Sequence, residues 1–373
     1  MKAKAIGLYV HFPFCVRKCN YCDFCSFDNL TESDRLRYID ALCEEIEGYA
    51  ERNITLDTIF FGGGTPSLMD VDSIRRVFSS IRRSFTIADD TEITVEANPK
   101  TLNTRKLSAY RDLGVNRISM GLQSIHENEL KILGRIHNYP EFLETYKMVR
   151  ECGIDNVNID LMYGIPEQTK DSFSDTIRTV IALRPEHVSL YGLILEEGTP
   201  LFDRRDSLRF PSEDDECDMY LAALESLKEC GYEHYEISNY AISGRRSRHN
   251  MKYWNTEEYI GVGLAAYSYL DGKRYSNTAD FTEYVSGVTT SLETVESVEV
   301  TDMAYEYVML GLRLSDGISL SEYRERFGED FYAARRAYID ELIKLGYATL
   351  SGDRLALTDR GMYVSNTILN ELI

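Results

Sequence analysis

Three cysteines spaced Cys15-x3-Cys19-x2-Cys22 fall in one short stretch, and Cys25 follows three residues later. Three thiolates can hold three irons of a [4Fe–4S] cluster, which leaves one iron without a protein ligand and open to a small chelating molecule. A structural zinc site wants four closed ligands, usually as two separated pairs, and Cys25 is the residue able to complete such a set here. Cys43, Cys152, Cys217 and Cys230 lie apart in helical patterns and read as small core residues. A disulfide framework belongs to small secreted scaffolds, not to a chain of 373 residues.

The elements that must position this loop show as a recurring alternation. Short β-rich segments at 6–11, 57–61, 92–96, 117–121, 157–162 and 187–193 are separated by helical patterns at about 33–52, 71–85, 103–113, 139–152 and 170–183, with a last helix at 213–230. Such alternation argues for parallel strands joined by right-handed crossovers. The unusual residues come at the carboxyl ends of these segments: His11 to Cys22, Gly62 to Pro66, Glu96 to Asn98, Gln123, and Asp160 to Pro166. Chemistry gathered at strand ends is the mark of a TIM-like cup. The expected fold is therefore a partial (β/α)6 barrel over 1–235. A loop-rich connecting section is expected at 236–300, and a smaller helical, winged-helix-like domain at 301–373. No glycine-rich dinucleotide fingerprint opens the first helix, which disfavours a nicotinamide enzyme.

Composition narrows the partners. Lys and Arg number 41 against 61 Asp and Glu, a net charge of -20, which repels phosphate backbones and anionic lipid. Nucleic acid is not expected as a partner, and Arg245, Arg246 and Arg248 read as a solvated loop. No apolar run approaches the roughly 18 residues of a membrane span, and the start of the chain is unlike a secretory signal. A cytoplasmic protein without stable membrane insertion is expected.

Cys-x3-Cys-x2-Cys with Tyr21 before the last cysteine resembles the signature of the radical S-adenosylmethionine (SAM) superfamily. Gly62-Gly63-Gly64-Thr65-Pro66, one βα unit later, is similar to that family's glycine motif, where bare backbone lets a ligand approach closely. In the family the open iron is chelated by the amino and carboxylate groups of SAM, and transfer of one electron cleaves the sulfonium to a 5′-deoxyadenosyl radical. Tyr9-Val10-His11-Phe12-Pro13-Phe14-Cys15, Glu96-Ala97-Asn98-Pro99, Gly121-Leu122-Gln123-Ser124, Gly134-Arg135-Ile136-His137 and Asp160-Leu161-Met162-Tyr163-Gly164-Ile165-Pro166 occur in that order. Together they resemble the oxygen-independent coproporphyrinogen oxidase family and, within it, the haem-chaperone group of the HemW type. The resemblance implies a SAM site formed by Tyr9, Tyr21, Gly63, Gly64, Thr65, Glu96, Gln123, Arg135 and Asp160, with Cys15, Cys19 and Cys22 as cluster ligands. The chemistry agrees: acidic and amide groups suit ribose hydroxyls and an amino group, and a guanidinium suits a carboxylate.

Two classes of function follow from the resemblance, a porphyrinogen-decarboxylating enzyme and a haem-binding chaperone. The oxidases carry a long segment before the cysteines and a fourth cysteine two residues after the third. Here the motif begins at residue 15, and Cys25 stands one place too late. Arg248-His249-Asn250-Met251-Lys252-Tyr253-Trp254 resembles the His-Asn-x-x-Tyr-Trp motif of the chaperones and makes His249 the candidate haem contact. Tyr267 stands where relatives are expected to carry histidine. The chaperone reading implies a [4Fe–4S] cluster, SAM and haem as bound groups, haem-acceptor proteins as partners, and a flavodoxin or ferredoxin as electron donor. Turnover of coproporphyrinogen is not expected; the oxidase, or another radical SAM porphyrin enzyme, is the alternative.

Overall fold

A computed structural model describes residues 5–287 and 292–373. Residues 1–4 of the expected core and 288–291 of the expected connecting section lie outside the described residues. The six expected βα strands are present: β1 (Ile6–Phe12), β2 (Thr55–Gly63), β3 (Thr86–Ala97), β4 (Arg117–Gln123), β5 (Val157–Tyr163) and β6 (His187–Gly192). They pair in chain order and in parallel. Helices α1 (Glu32–Glu47), α2 (Val71–Ser84), α3 (Thr104–Leu113), α4 (Glu127–Ile132), α5 (Tyr139–Glu151) and α6 (Lys170–Leu183) fill the crossovers. Buried parallel strands read as near-continuous apolar runs, which is why 117–121 and 157–162 stand out in the sequence. The helix starts follow from capping: Thr31 with Asp34 and Asn138 with Glu141 form capping boxes, and Asp70 caps α2.

The section read as loop-rich, 236–300, is corrected by the structure. After α7 (Pro200–Asp203), α8 (Glu213–Glu229) and β7 (Glu233–Glu236), it carries β8 (Asn239–Ala241), α9 (Arg248–Trp254), β9 (Tyr259–Val262), β10 (Tyr267–Leu270), β11 (Lys273–Asn277), α10 (Phe281–Tyr284) and β12 (Leu292–Ser297). Strand β9 joins the parallel sheet on the free side of β1, and the rest extend both edges antiparallel. Among the described residues this makes one open sheet of 12 strands, in the order β12-β11-β10-β9-β1-β2-β3-β4-β5-β6-β8-β7. Gly261 permits the β9–β10 hairpin, since a Cβ there would lie 2.1 Å from the Tyr267 carbonyl oxygen.

The chain ends in α11 (Val300–Gly311), α12 (Leu320–Phe327), α13 (Phe331–Ala334), α14 (Arg336–Lys344), α15 (Asp359–Tyr363) and α16 (Ser365–Leu372) around a three-stranded sheet. Its strands are β13 (Ile318–Ser319), β14 (Ala348–Ser351) and β15 (Arg354–Leu357), in the order β13-β15-β14. This part has its own apolar core around Val308, Tyr323, Ile339 and Leu369. Of the four scattered cysteines Cys43 is buried, but Cys230, at the carboxyl cap of α8, is exposed and is no core residue. No helix among the described residues is long and apolar enough to cross a membrane.

Candidate SAM and haem site

The cysteine loop leaves β1 and is pinned at both ends by backbone bonds. The Cys15 N–H donates to the Phe27 carbonyl at 2.8 Å, and that of Phe27 to Pro13. Across the mouth of the cup, the Asn20 N–H and side chain donate to the Leu133 and Ile132 carbonyls, and Arg17 donates to the Gly134 carbonyl at 2.7 Å. The loop is thus held against the turn that carries Arg135. Burial pushes the Cys15 and Cys22 thiols up, while Lys18 opposes the shift. Cys25 packs against the apolar core, and its carbonyl is held by His11 Nε2 at 2.8 Å. Among the described residues no three His, Cys, Asp or Glu side chains are gathered closely enough for a single metal ion.

The strand ends bring the other expected residues to the same mouth. The Gly64 N–H donates to the Phe12 carbonyl, and a Cβ on Gly64 would lie 3.1 Å from Cys15 Sγ. Gly63 has φ +107, and a Cβ there would strike the His11 ring at 2.6 Å. Arg135 Nη2 donates to Asn98 Oδ1 and to the Gly121 carbonyl, both at 2.5 Å, and its Nη1 lies 3.5 Å from Cys19 Sγ. Asn98 in turn donates to Thr65 Oγ1 at 2.9 Å, and Thr65 reaches Cys15 Sγ at 3.7 Å. One polar chain therefore joins the cysteine loop, the glycine motif and the ends of β3 and β4.

Deeper in the cup, Glu96 and Asp160 face one another. Burial, and then the neighbouring Asp160, push the Glu96 carboxyl up to about 8. Asp160 is also raised by burial, against the hydrogen bond that it accepts from Asn158 at 2.7 Å. Tyr9 and Tyr21 are raised chiefly by burial. Gln123 is held at φ +71 where a bulge ends β4, a conformation that costs energy and collects at functional sites. Its Oε1 and the Nε of Arg135 are buried without a partner. These orphaned polar atoms, beside bare glycine backbone, fit a polar ligand such as SAM next to a thiolate-held cluster.

Two participants escaped the sequence reading. Asn98 belongs to the motif from Glu96 to Pro99, yet its link from Arg135 to Thr65 is visible only in three dimensions. The charge of Arg117, a residue 2% exposed, opposes the upward shift of both Glu96 and Asp160 without cancelling it. A lone arginine in a strand gives no sequence signal of that kind.

Helix α9 closes the opposite end of the cup. Its first N–H groups, those of Arg248 and His249, donate to the Glu92 carboxylate, and Lys252 pairs with Asp57 at 2.9 Å. His249 is 1% exposed, with Nδ1 2.9 Å from Thr58 Oγ1 and Nε2 2.8 Å from Tyr253 Oη. Both ring nitrogens are engaged inside the protein, so the structure does not present the imidazole to a ligand. Tyr253 and Trp254 instead line an open cleft of about 2350 Å³, counting space open to solvent. The cleft runs between the two ends of the sheet and reaches Arg313 and, on α11, Met309. Asn239 Oδ1, Thr256 Oγ1, Arg274 Nε and Arg313 Nε in its wall are buried and unpaired. The arginines at 246 and 248 are neutralised by Asp316 and Asp90.

A cup of parallel βα units with a three-cysteine loop after its first strand and a glycine turn after its second defines a radical SAM fold. The family model for the Radical SAM superfamily matches residues 9–180, and that for the HemN C-terminal domain matches 298–364. Over its whole length the chain is 34% identical to the "Heme chaperone HemW" of Lactococcus lactis, covering 98% of that protein. It is 35% identical to that of Escherichia coli, over 99% of this chain and 98% of the relative. Coproporphyrinogen III oxidase (HemN) from Escherichia coli superposes with a TM-score of 0.85 over 99% of this chain and 90% of that one; at 22% identity this likeness shows the fold. The chain belongs to the HemW heme chaperone family.

Proposed function

We propose that the protein is a haem chaperone that carries a [4Fe–4S] cluster and SAM at the mouth of the cup and haem in the cleft beside α9. Cys15, Cys19 and Cys22 hold the cluster, which would supply an electron to bound SAM if a flavodoxin- or ferredoxin-type donor reduced it. Arg135 receives the SAM carboxylate. Glu96, Gln123 and Asp160 take the amino group and ribose hydroxyls, with Tyr9 and Tyr21 closing the pocket around Gly63, Gly64 and Thr65. The observation that carries the haem assignment is the cleft: aromatic walls for a flat macrocycle, and Arg313 with an unpaired Nε–H group for a propionate. The relatives named heme chaperones match the chain from end to end.

Haem titration of the reconstituted protein tests this reading. Trp254→Ala and Arg313→Ala should each weaken haem binding by roughly 1–3 kcal/mol, the scale of one lost aromatic or charge-assisted contact. Wild-type affinity in both variants would move haem out of the cleft.

A further inference from the structure

If the cleft holds haem, the iron needs an axial ligand, and among the described residues lining it there is no histidine and no cysteine. Met309 offers a soft thioether, a poor match for ferric iron, and the carboxylates of Glu236, Glu257 and Glu306 are held by Asn239, Lys252 and Arg274. Among the tyrosines of the lining, Tyr253 differs in one respect, that its hydroxyl meets an imidazole. His249 Nε2 lies 2.8 Å from Tyr253 Oη, four residues apart on one face of α9. The imidazole is fixed on its far side by Thr58 Oγ1 at Nδ1 and stacks on Phe60 at 5.2 Å and 27°. The Tyr253 ring is set edge-on against Tyr259 at 4.6 Å and 88°. Both rings are therefore locked before any ligand arrives. By contrast Tyr267 is 65% exposed at the rim, and the Tyr275 hydroxyl is turned to Tyr49.

We propose that Tyr253 is the axial ligand of the haem iron, and that His249 is its positioning residue rather than the ligand itself. In the tautomer that this arrangement requires, Thr58 donates to Nδ1 and the hydrogen of the neutral imidazole sits on Nε2, aimed at the tyrosine oxygen. When ferric haem enters, a weakly held water leaves the iron and the iron–phenolate bond forms. The Tyr253 O–H bond breaks and its proton passes to solvent in the cleft. The iron stays ferric throughout, so no electron donor is required. The Nε2–H donation stabilises the phenolate and weakens its donation to iron, which suits a carrier that must give its haem away.

This inference rests on the proposed haem cleft and is tested on the full-length protein by resonance Raman spectroscopy excited in the phenolate-to-iron band. Wild type with ferric haem should show phenolate vibrations that shift when the protein is made with ring-deuterated tyrosine. Tyr253→Phe keeps the ring packing and should lose those vibrations, with haem affinity reduced about tenfold or more. His249→Ala should keep the phenolate vibrations at shifted frequency, and His249→Gln, which restores an N–H donor, should move them back. Unchanged vibrations in Tyr253→Phe, or their loss in Tyr267→Phe instead, would overturn the assignment. Haem binding in wild type without any deuterium-sensitive phenolate mode, or with an imidazole-ligand spectrum that His249→Ala removes, overturns the ligand assignment while the chaperone reading stands. Failure of wild type to bind haem at all overturns both.

Discussion

Cys15, Cys19 and Cys22 are the proposed cluster ligands on a loop pinned by backbone bonds at Cys15 and Asn20, so replacing any of the three by alanine should remove the cluster. Cys25→Ala should leave it intact, because that side chain packs into the core. Iron content and charge-transfer absorbance after anaerobic reconstitution measure both outcomes. Glu96 gives a second expectation at the same scale. Its carboxyl ordinarily titrates at 4.5 and is pushed up to about 8 by burial and then by Asp160. A group raised on folding favours the fold below its unfolded value and loses that contribution as pH climbs through the folded one. Wild type should therefore lose stability between about 4.5 and 8, on the order of a few kcal/mol. Glu96→Gln should flatten that slope in thermal melts of the cluster-free protein; an equal slope in both would contradict the burial argument. These residues were legible because the chemistry they imply is specific at their spacing. His249 was less so: a histidine in a motif says that it matters, while only the structure places both ring nitrogens on Thr58 and Tyr253.

Strands differ in how plainly they announce themselves. β1 to β6 are buried along most of their length and alternate with amphipathic helices, so their apolar runs show in the sequence, although β3 starts six residues before the expected 92–96, where Thr86, Asp89 and Asp90 are exposed. β8 to β11 are three to five residues long, rich in tyrosine and polar groups, and broken by positive-φ residues such as Ala265 and Asp271. Nothing in that stretch has a clean period, and its strand character comes from pairing at the two edges of the sheet, β9 on β1 and β8 on β6. Long-range pairing of that kind is decided by tertiary contact rather than local propensity. Gly261 is the point at which this edge depends on one side chain, or rather on its absence. Gly261→Ala should cost about 3 kcal/mol or more, since the added carbon would strike backbone rather than a movable side chain. It should also disturb Tyr267 and Tyr269 in the cleft wall, lowering haem affinity together with the urea midpoint. A midpoint within experimental error of wild type would show that the hairpin has more room than this packing allows.

At the scale of the molecule, one chain joins two sites through a common cup. The cysteine loop, the glycine turn and Arg135 occupy its mouth, α9 closes its other end, and the C-terminal part completes the wall of the cleft between the sheet ends. The same architecture serves the oxidase whose fold it shares, so architecture does not choose between chemistry and carriage. The choice rests on the surroundings of α9, where Tyr253 and Trp254 face the cleft and His249 braces one of them from behind. The most direct measurement is a parallel assay on a single anaerobically reconstituted preparation, with haem titrated into one portion and coproporphyrinogen, SAM and reductant added to another. The account predicts saturable, stoichiometric haem binding in the first and no protoporphyrinogen in the second. Robust decarboxylation with stoichiometric 5′-deoxyadenosine, and no saturable haem binding, would contradict it.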